Sequence, residues 1–404
     1  MSTVRTRPTT ELFGEAYFQD PHPAWEWLRR NDPVHSTMLP GGSTPVWLVS
    51  RYDEVKSILL DESFSNSFEH APVEFREYLG LGAANTPGMT QMDPPEHTHL
   101  RGLVSGLFTA RHVQNLEDEI TTIVDHVLDD LTASRGRPMD AVLGLAWMIA
   151  TRVACHALGT PRSQARELSI QLYTMMSTDP DTAAAADRAK NEVRSWLLRA
   201  VVEAPGGYDG GLAHTLAANG ELDTERLLDL LMTMIEGCTV SPANLLSMGL
   251  LILLDHPEQL AALRARPDGM TAVIEEMLRY ESVAATSLWR FPRTDCTIAG
   301  RTIAACEPVW LLLGSANRDP ARFERPDEFD PLRSNNNTHL AFGRGRHSCF
   351  GSALAQLEAR IFFTRLLERF DTISLAVNRA DVRFRHCLMD RALAALPIVA
   401  DKER

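Results

Sequence analysis

Residues 342–351 read Phe342-Gly343-Arg344-Gly345-Arg346-His347-Ser348-Cys349-Phe350-Gly351, and this decapeptide decides the fold. Its chemistry is that of a cysteine held in a glycine-rich turn just before a helix. The run Ser352–Arg360 is a good helix former. Gly343, Gly345 and Gly351 permit backbone angles closed to other residues and let a flat ligand approach the main chain. A thiolate before a helix is favoured by unpaired N–H groups and the helix dipole. Arg344, Arg346 and His347 are expected to push the same way. No second cysteine stands at CxxC spacing, so a one-cysteine metal complex fits better than a zinc site. The plainer alternative is a buried, inert cysteine in a loop. The Gly-x-Gly pair alone is also a weak dinucleotide signal, but no strand, loop and helix with a downstream acid supports it.

At Phe342, Gly343, Gly345, His347, Cys349 and Gly351 the stretch resembles the haem-binding loop of the cytochrome P450 family. By that resemblance Cys349 is the axial thiolate ligand of a haem b iron (iron protoporphyrin IX), and thiolate donation favours O–O cleavage. The resemblance implies a mainly α fold with small β-sheets (α+β). It would be a single large helical domain, 1–404, enclosing the haem, with residues 1–20 as an N-terminal tail.

Composition narrows the function. The chain has 404 residues and a formal net charge of −13, which argues against a general nucleic-acid binder. The six cysteines are scattered and form no disulfide framework, as in a reducing cytosol. The start, Met1-Ser-Thr-Val-Arg-Thr-Arg-Pro8, has no apolar core, and no uninterrupted apolar run reaches the length of a bilayer span. A cytoplasmic protein of the soluble bacterial class, without membrane attachment, is the expectation.

Helices are expected over Ala24–Asn31 and Asp53–Leu60, with Val34–Met38 pairing to a strand at Val46–Ser50. Residues 64–90 mix Gly, Pro, Asn and Ser with Phe64, Phe68, Phe75 and Tyr78. They read equally as a surface loop with aromatics tucked inward or as a lid over a pocket. In Asp93-Pro-Pro-Glu-His97-Thr-His99-Leu-Arg101, His97 and Arg101 lie four apart and share a helix face. This resembles the family's helix that grips a haem propionate, and Arg favours such carboxylates. Leu116–Leu131 and Met139–Leu158 read as core helices, and Ser163–Ala204 as helices around a polar break. In the family that last region roofs the pocket. Met175 and Met176 line it or belong to the core. Gly206–Gly211 is a turn that lacks the Gly-Lys-Ser/Thr ending of a phosphate loop.

Leu222–Leu254 reads as one long buried helix containing Glu236-Gly-Cys-Thr-Val-Ser-Pro-Ala-Asn244. Pro242 inside it predicts a kink. The family usually places an acid and then a threonine here, to relay protons to bound dioxygen. Counting back from His256-Pro-Glu-Gln259, Val240 takes the acid position, Ser241 the threonine position and Gly237 the small residue that allows close approach to the haem. Val240 cannot donate a proton, a task that needs a donor in reach. Glu236 and Thr239 are rotated off that face, unless a register shift at the kink brings one back.

Glu276 and Arg279, at i and i+3, can pair. In order before the cysteine loop they resemble the family's Glu-x-x-Arg pair, with Arg333 as third member, a structural network. Ser282–Arg290 reads as a turn and strand. Arg290 and His347 match further propionate contacts. Thr286, Ser287, Leu288 and Trp289, with Leu388 and Met389 of the turn His386–Arg391, face substrate or belong to the core. Asp295–Val309 alternates as a small sheet. The resemblance runs from about Pro21 to Pro397.

It implies a haem-thiolate oxidase that hydroxylates or epoxidises a medium-sized organic molecule of bacterial secondary metabolism. Its partners would be the small-molecule substrate, dioxygen, and a separate ferredoxin and ferredoxin reductase docking near Arg344 and Arg346. A monomer is expected. Val240 and Pro242 motivate an alternative, oxidative cyclisation or C–N or C–C coupling without oxygen insertion. The missing acid also motivates a second one, a non-catalytic haem protein that binds a ligand.

Overall fold

The computed structural model describes residues 11–80, 88–134, 136–203 and 211–401. The helix Thr224–Asp255 is its axis. The Asp223 side chain accepts from Arg226 N at 2.9 Å and starts the helix, by satisfying a donor that has no intrahelical partner. Pro242 lies inside the helix, which continues unbroken on both sides of it. Leucines, isoleucines and methionines occupy nearly every side, and such a helix belongs in a core. It is long and apolar enough to cross a membrane, yet 83% of its most apolar window is buried inside the protein. Each fully buried leucine on it contributes about 1.5–3 kcal/mol.

The helices Glu117–Ala133, Trp147–Leu158, Met270–Tyr280 and Ser352–Arg369 surround it and share one apolar core with it. Gly249 sets how closely they approach. A Cβ there would stand 2.7 Å from the Phe363 ring and 2.9 Å from the Met277 sulfur, so only glycine fits. The helices Ala165–Met175 and Ala183–Leu197 cover the region as expected, with Pro180–Thr182 as a tight turn between them.

The small sheets are peripheral. Val34–Met38 pairs antiparallel with Pro45–Val49, as expected, and Pro45–Val49 runs parallel to Val309–Leu311. Cys296–Ile298 pairs with Arg301–Ile303 in the expected 295–309 region.

Several expectations need correction. Met139–Leu158 is not one helix. Met139 and Asp140 pair with Pro397–Asp401, and a wide π turn, Val142–Ala146, precedes the α-helix. Asp140 is the cause: its carboxylate accepts from Val142 N, Leu143 N and Leu396 N, and so ends the strand. Ser282–Arg290 is extended but forms no regular strand: isolated bridges join Ala284 to Asp390 and Arg290 to Val309, and Ser287 N donates to Leu311 O at 2.8 Å. Residues 11–20, expected as part of the tail, are ordered. Glu15–Gln19 is helical and Phe13 and Tyr17 are buried, because Arg391 donates to Phe18 O at 2.7 Å and ties this segment to the 386–391 turn. In the 64–90 stretch Phe64, Phe68 and Phe75 are buried, the inward-tucked arrangement. Residues 81–87, and the 206–211 turn except Gly211, lie outside the described residues.

Candidate active site

Cys349 stands between a tight turn, Gly345–His347, and the helix Ser352–Arg369. Its N–H donates to Phe342 O at 2.9 Å and closes the loop. Gly343 and Gly345 have φ of +63° and +77°, where glycine is at home. A Cβ on Gly345 would also come within 2.5 Å of Leu59 O, so the loop lies directly on the helix Tyr52–Leu60. Gly351 differs from expectation. Its φ is −83°, open to any residue, and its contribution is an N–H directed at the Cys349 sulfur.

The Cys349 side chain is exposed by surface area, yet burial raises its thiol pKa. Both hold for a sulfur that opens onto a walled cleft rather than bulk water. The N–H groups of Gly351 and Ser352, with Arg101, pull the pKa back down but do not win. The expected charges do not act here. Arg344 donates to His339 O at 3.1 Å, Arg346 pairs with Glu62 at 3.1 Å, and His347 is held neutral, its pKa pushed down to about 3 by burial first and then by His97 and Arg290.

Four nitrogen-bearing side chains gather beside the sulfur. The His97 and His347 rings lie 4.0 Å apart between centroids. Arg101 donates to Ser348 O at 2.9 Å and lies over the Phe350 ring. Arg290 is buried, donates to Leu288 O and Trp289 O, and has its pKa lowered to about 10 by burial. No carboxylate among the described residues bonds to any of the four. His347 Nε2 is buried without a partner. Asp93 is near, but Ser65 and Arg293 bind it. Two guanidinium and two imidazole groups, Arg290 and His97 buried and Arg101 and His347 half-buried, none bonded to a carboxylate among the described residues, suit a ligand carrying carboxylates. Haem, with two propionates and an iron that takes one thiolate, fits this donor set.

The central helix faces the sulfur. Cys238 lies close enough to Cys349 and Glu358 for their charges to raise its own pKa, after burial. From Leu230 to Leu253 only Thr233, Glu236, Gly237 and Ser241 are not buried, so they form one accessible stripe. Gly237 is exposed and a Cβ there would meet nothing within 4 Å. Ser241 is half-buried with no hydrogen bond among the described residues. Val240 is buried. The helix is continuous through Pro242, and Thr239 is buried with its hydroxyl unpaired, as its rotation off that face predicts. Glu236, expected off that face too, instead lies on the accessible stripe with Ser241, four-residue helical spacing carrying it round through Gly237. Glu358, fully buried on the 352–369 helix, has both oxygens unpaired and its pKa raised to about 8 by burial.

Glu276 sits at the centre of a buried network. Arg279 donates to Glu276 through two parallel bonds of 2.8 and 2.7 Å, both side chains fully buried. Arg279 also reaches Asn317 O, Pro326 O and Glu328 O. Arg333 is weaker, 3.4 Å from Glu276, while Asp330 N is 2.9 Å away. Sequence reasoning missed Glu275. It bonds His339 before the cysteine loop and Gln356 after it, fastening both sides to one helix. A lone glutamate on an amphipathic helix carries no signal for this.

The pocket-lining expectations divide. Trp289 turns into the core, stacked on Trp310 with centroids 4.4 Å apart. Ser287 is buried, its hydroxyl on Leu288 O, and Thr286 is buried against Met389 O. None of these three presents a free polar face. Alternation leaves half-buried Leu288 on the opposite side from Trp289. Leu388 packs against the core cluster of Trp25 and Trp289, and Met389 is exposed. Met175 and Met176 pack on the main core, the plainer reading.

A thiol on a glycine turn, near a long apolar helix and beside Arg and His side chains that bond to no carboxylate among the described residues, is the arrangement of a haem-thiolate protein. The comparisons agree. The family model described as Cytochrome P450 matches residues 269–383. The cytochrome P450 monooxygenase PikC of Streptomyces venezuelae is 35% identical, over 98% of this chain and 95% of its own. A myxobacterial cytochrome P450, CYP267B1, in complex with myristic acid superposes with a TM-score of 0.89 at 28% identity, over 97% of this chain and 99% of that one. CxnD, a cytochrome P450 for C–S bond formation in chuangxinmycin biosynthesis, superposes with a TM-score of 0.86 at 29% identity, over 96% and 97%. The chain belongs to the cytochrome P450 family. It is a haem enzyme that acts on a small molecule with dioxygen and external electrons.

Proposed function

We propose that Cys349 is the axial iron ligand and that His97, Arg101, Arg290 and His347 hold the haem propionates. The observation that carries this is the group of two guanidinium and two neutral imidazole side chains, bonded to no carboxylate among the described residues, beside an accessible sulfur. Phe342, Gly343 and Gly351 shape the loop, and Glu276, Arg279 and Arg333 hold it. Bound there, the haem supplies dioxygen activation assisted by its thiolate. The chain supplies the rest. Gly237 leaves room on the helix face, the apolar flanks exclude water, and the Ser241 hydroxyl holds a proton for delivery into the cleft. Val240 cannot do so.

The reaction supported best is hydroxylation or epoxidation of a medium-sized natural product, and the relative PikC is named a monooxygenase. A second reading is bond formation without oxygen insertion. The buried Val240 in the acid position favours it, and the structural neighbour CxnD is named for C–S bond formation. Product mass decides between them: gain of one oxygen supports the first, loss of two hydrogens the second.

The electron donors of this reading are a ferredoxin and its reductase, docking in the cytoplasm on a monomer. Because Arg346 is paired with Glu62, the cysteine-loop surface offers less free positive charge than the sequence predicts. Arg344 remains, donating to His339 O and bonded to no carboxylate among the described residues.

A further inference from the structure

We infer that Glu236 selects a substrate carrying a positively charged amine, which its carboxylate binds beside Gly237. This rests on the reading that substrate lies against the central helix, above Cys349.

Glu236 belongs to the four-residue stripe that is accessible on an otherwise buried helix. Its neighbours there are neutral: Thr233, whose hydroxyl is bonded back to Asp229 O, exposed Gly237 and Ser241. No hydrogen bond or ion pair to Glu236 exists among the described residues. Among the described residues the charge that acts on it is that of Lys190 on the helix Ala183–Leu197, exposed to solvent and not bonded to it. The stretch 81–87, next in sequence to the Gly88 that approaches Thr233, contains no Lys, Arg or His. The carboxyl is strongly desolvated, with its pKa raised to about 7.

An unpaired carboxylate is a costly group to place in an apolar wall. A neutral partner gives no reason for it, since Gln or Ser would offer a hydrogen bond without the desolvation cost. A cation does give one: it draws the group into its charged form and makes a charge-assisted bond in a low dielectric. Helix geometry adds a measure. Glu236 and Ser241 are five positions apart, about 7.5 Å along the axis, so the oxidised carbon would lie several bonds from the amine.

The test uses the haem-loaded enzyme and three probes of equal chain length: decyltrimethylammonium, 1-decanol and decanoate. The quaternary cation has no lone pair and cannot ligate iron. Dissociation constants come from calorimetry and from the spin-state difference spectrum. The cation should bind about tenfold or more tighter than the alcohol, and decanoate weakest. Glu236→Gln should reduce the preference to about threefold or less, Glu236→Asp should keep part of it, and Lys190→Met should keep all of it. Equal binding of cation and alcohol, a preference that survives Glu236→Gln, or one lost in Lys190→Met would overturn the inference. The ferrous carbonyl spectrum of the same samples separates the two claims. If it shows thiolate ligation while the cation preference is absent, only the role of Glu236 falls.

Discussion

The imidazoles of His97 and His347 face each other with ring centroids 4.0 Å apart and planes tilted by 35°. One ring comes from the helix Glu96–Ser105, the other from the turn before Cys349. Burial lowers the pKa of both, so at neutral pH they are uncharged and do not repel. With Arg101 and Arg290 they make the proposed carboxylate site, drawn from three segments distant in sequence. Arg101→Met and Arg290→Met should each therefore weaken haem retention, by roughly 1–3 kcal/mol for a lost charge-assisted bond. The haem-to-protein ratio after gel filtration measures this, and unchanged loading in both variants would rule out the propionate assignment.

Glu276 is fully buried between Arg279, Arg333 and Asp330 N. Glu276→Ala leaves buried guanidinium groups without a counter-charge, at a cost of about 3–5 kcal/mol. Soluble yield and urea denaturation should show a fragile or haem-free protein. A substitution that keeps wild-type stability would mean the network does not hold the loop.

Glu358 gives a pH dependence of known sign. Its carboxyl has a pKa raised to about 8 in the folded chain, against an ordinary value near 4.5 when unfolded. Between those values the folded state binds more protons, so stability falls as pH rises from about 4.5 through 8. Glu358→Gln removes that loss. The melting temperature of the variant should match wild type near pH 5 and exceed it at pH 9, where the difference is on the order of a few kcal/mol. A constant offset at both pH values would contradict the account.

Ser241 has the free hydroxyl on the accessible stripe, and Val240 beside it has nothing to donate. Ser241→Ala should lower the fraction of consumed electrons that reach product by about tenfold or more, with hydrogen peroxide rising to match. Unchanged coupling would assign proton delivery to water alone.

What was legible in the sequence was local in it. The cysteine, its glycines and the Glu276–Arg279 spacing stand close together along the chain, and each spacing has a geometric meaning. The core helix was legible because apolar residues on every side leave no other environment for it. What was hidden depends on approach in space. Arg101, 248 positions before the thiol in the chain, acts on it, while neighbouring Arg344 and Arg346 find other partners. Trp289 was ambiguous because an aromatic in an extended segment suits either side, and Trp310 decided it. Asp140 broke an apparently helical run through three backbone bonds that periodicity does not record.

The central claim is a single bond between iron and the sulfur of Cys349. The carbon monoxide difference spectrum of the reduced, purified protein tests it most directly, beside that of Cys349→His. The account predicts the thiolate-type Soret band in the wild type and its replacement by a histidine-type band in the variant. A histidine-type band in undamaged wild-type protein, or a thiolate-type band that survives loss of the cysteine, would contradict it.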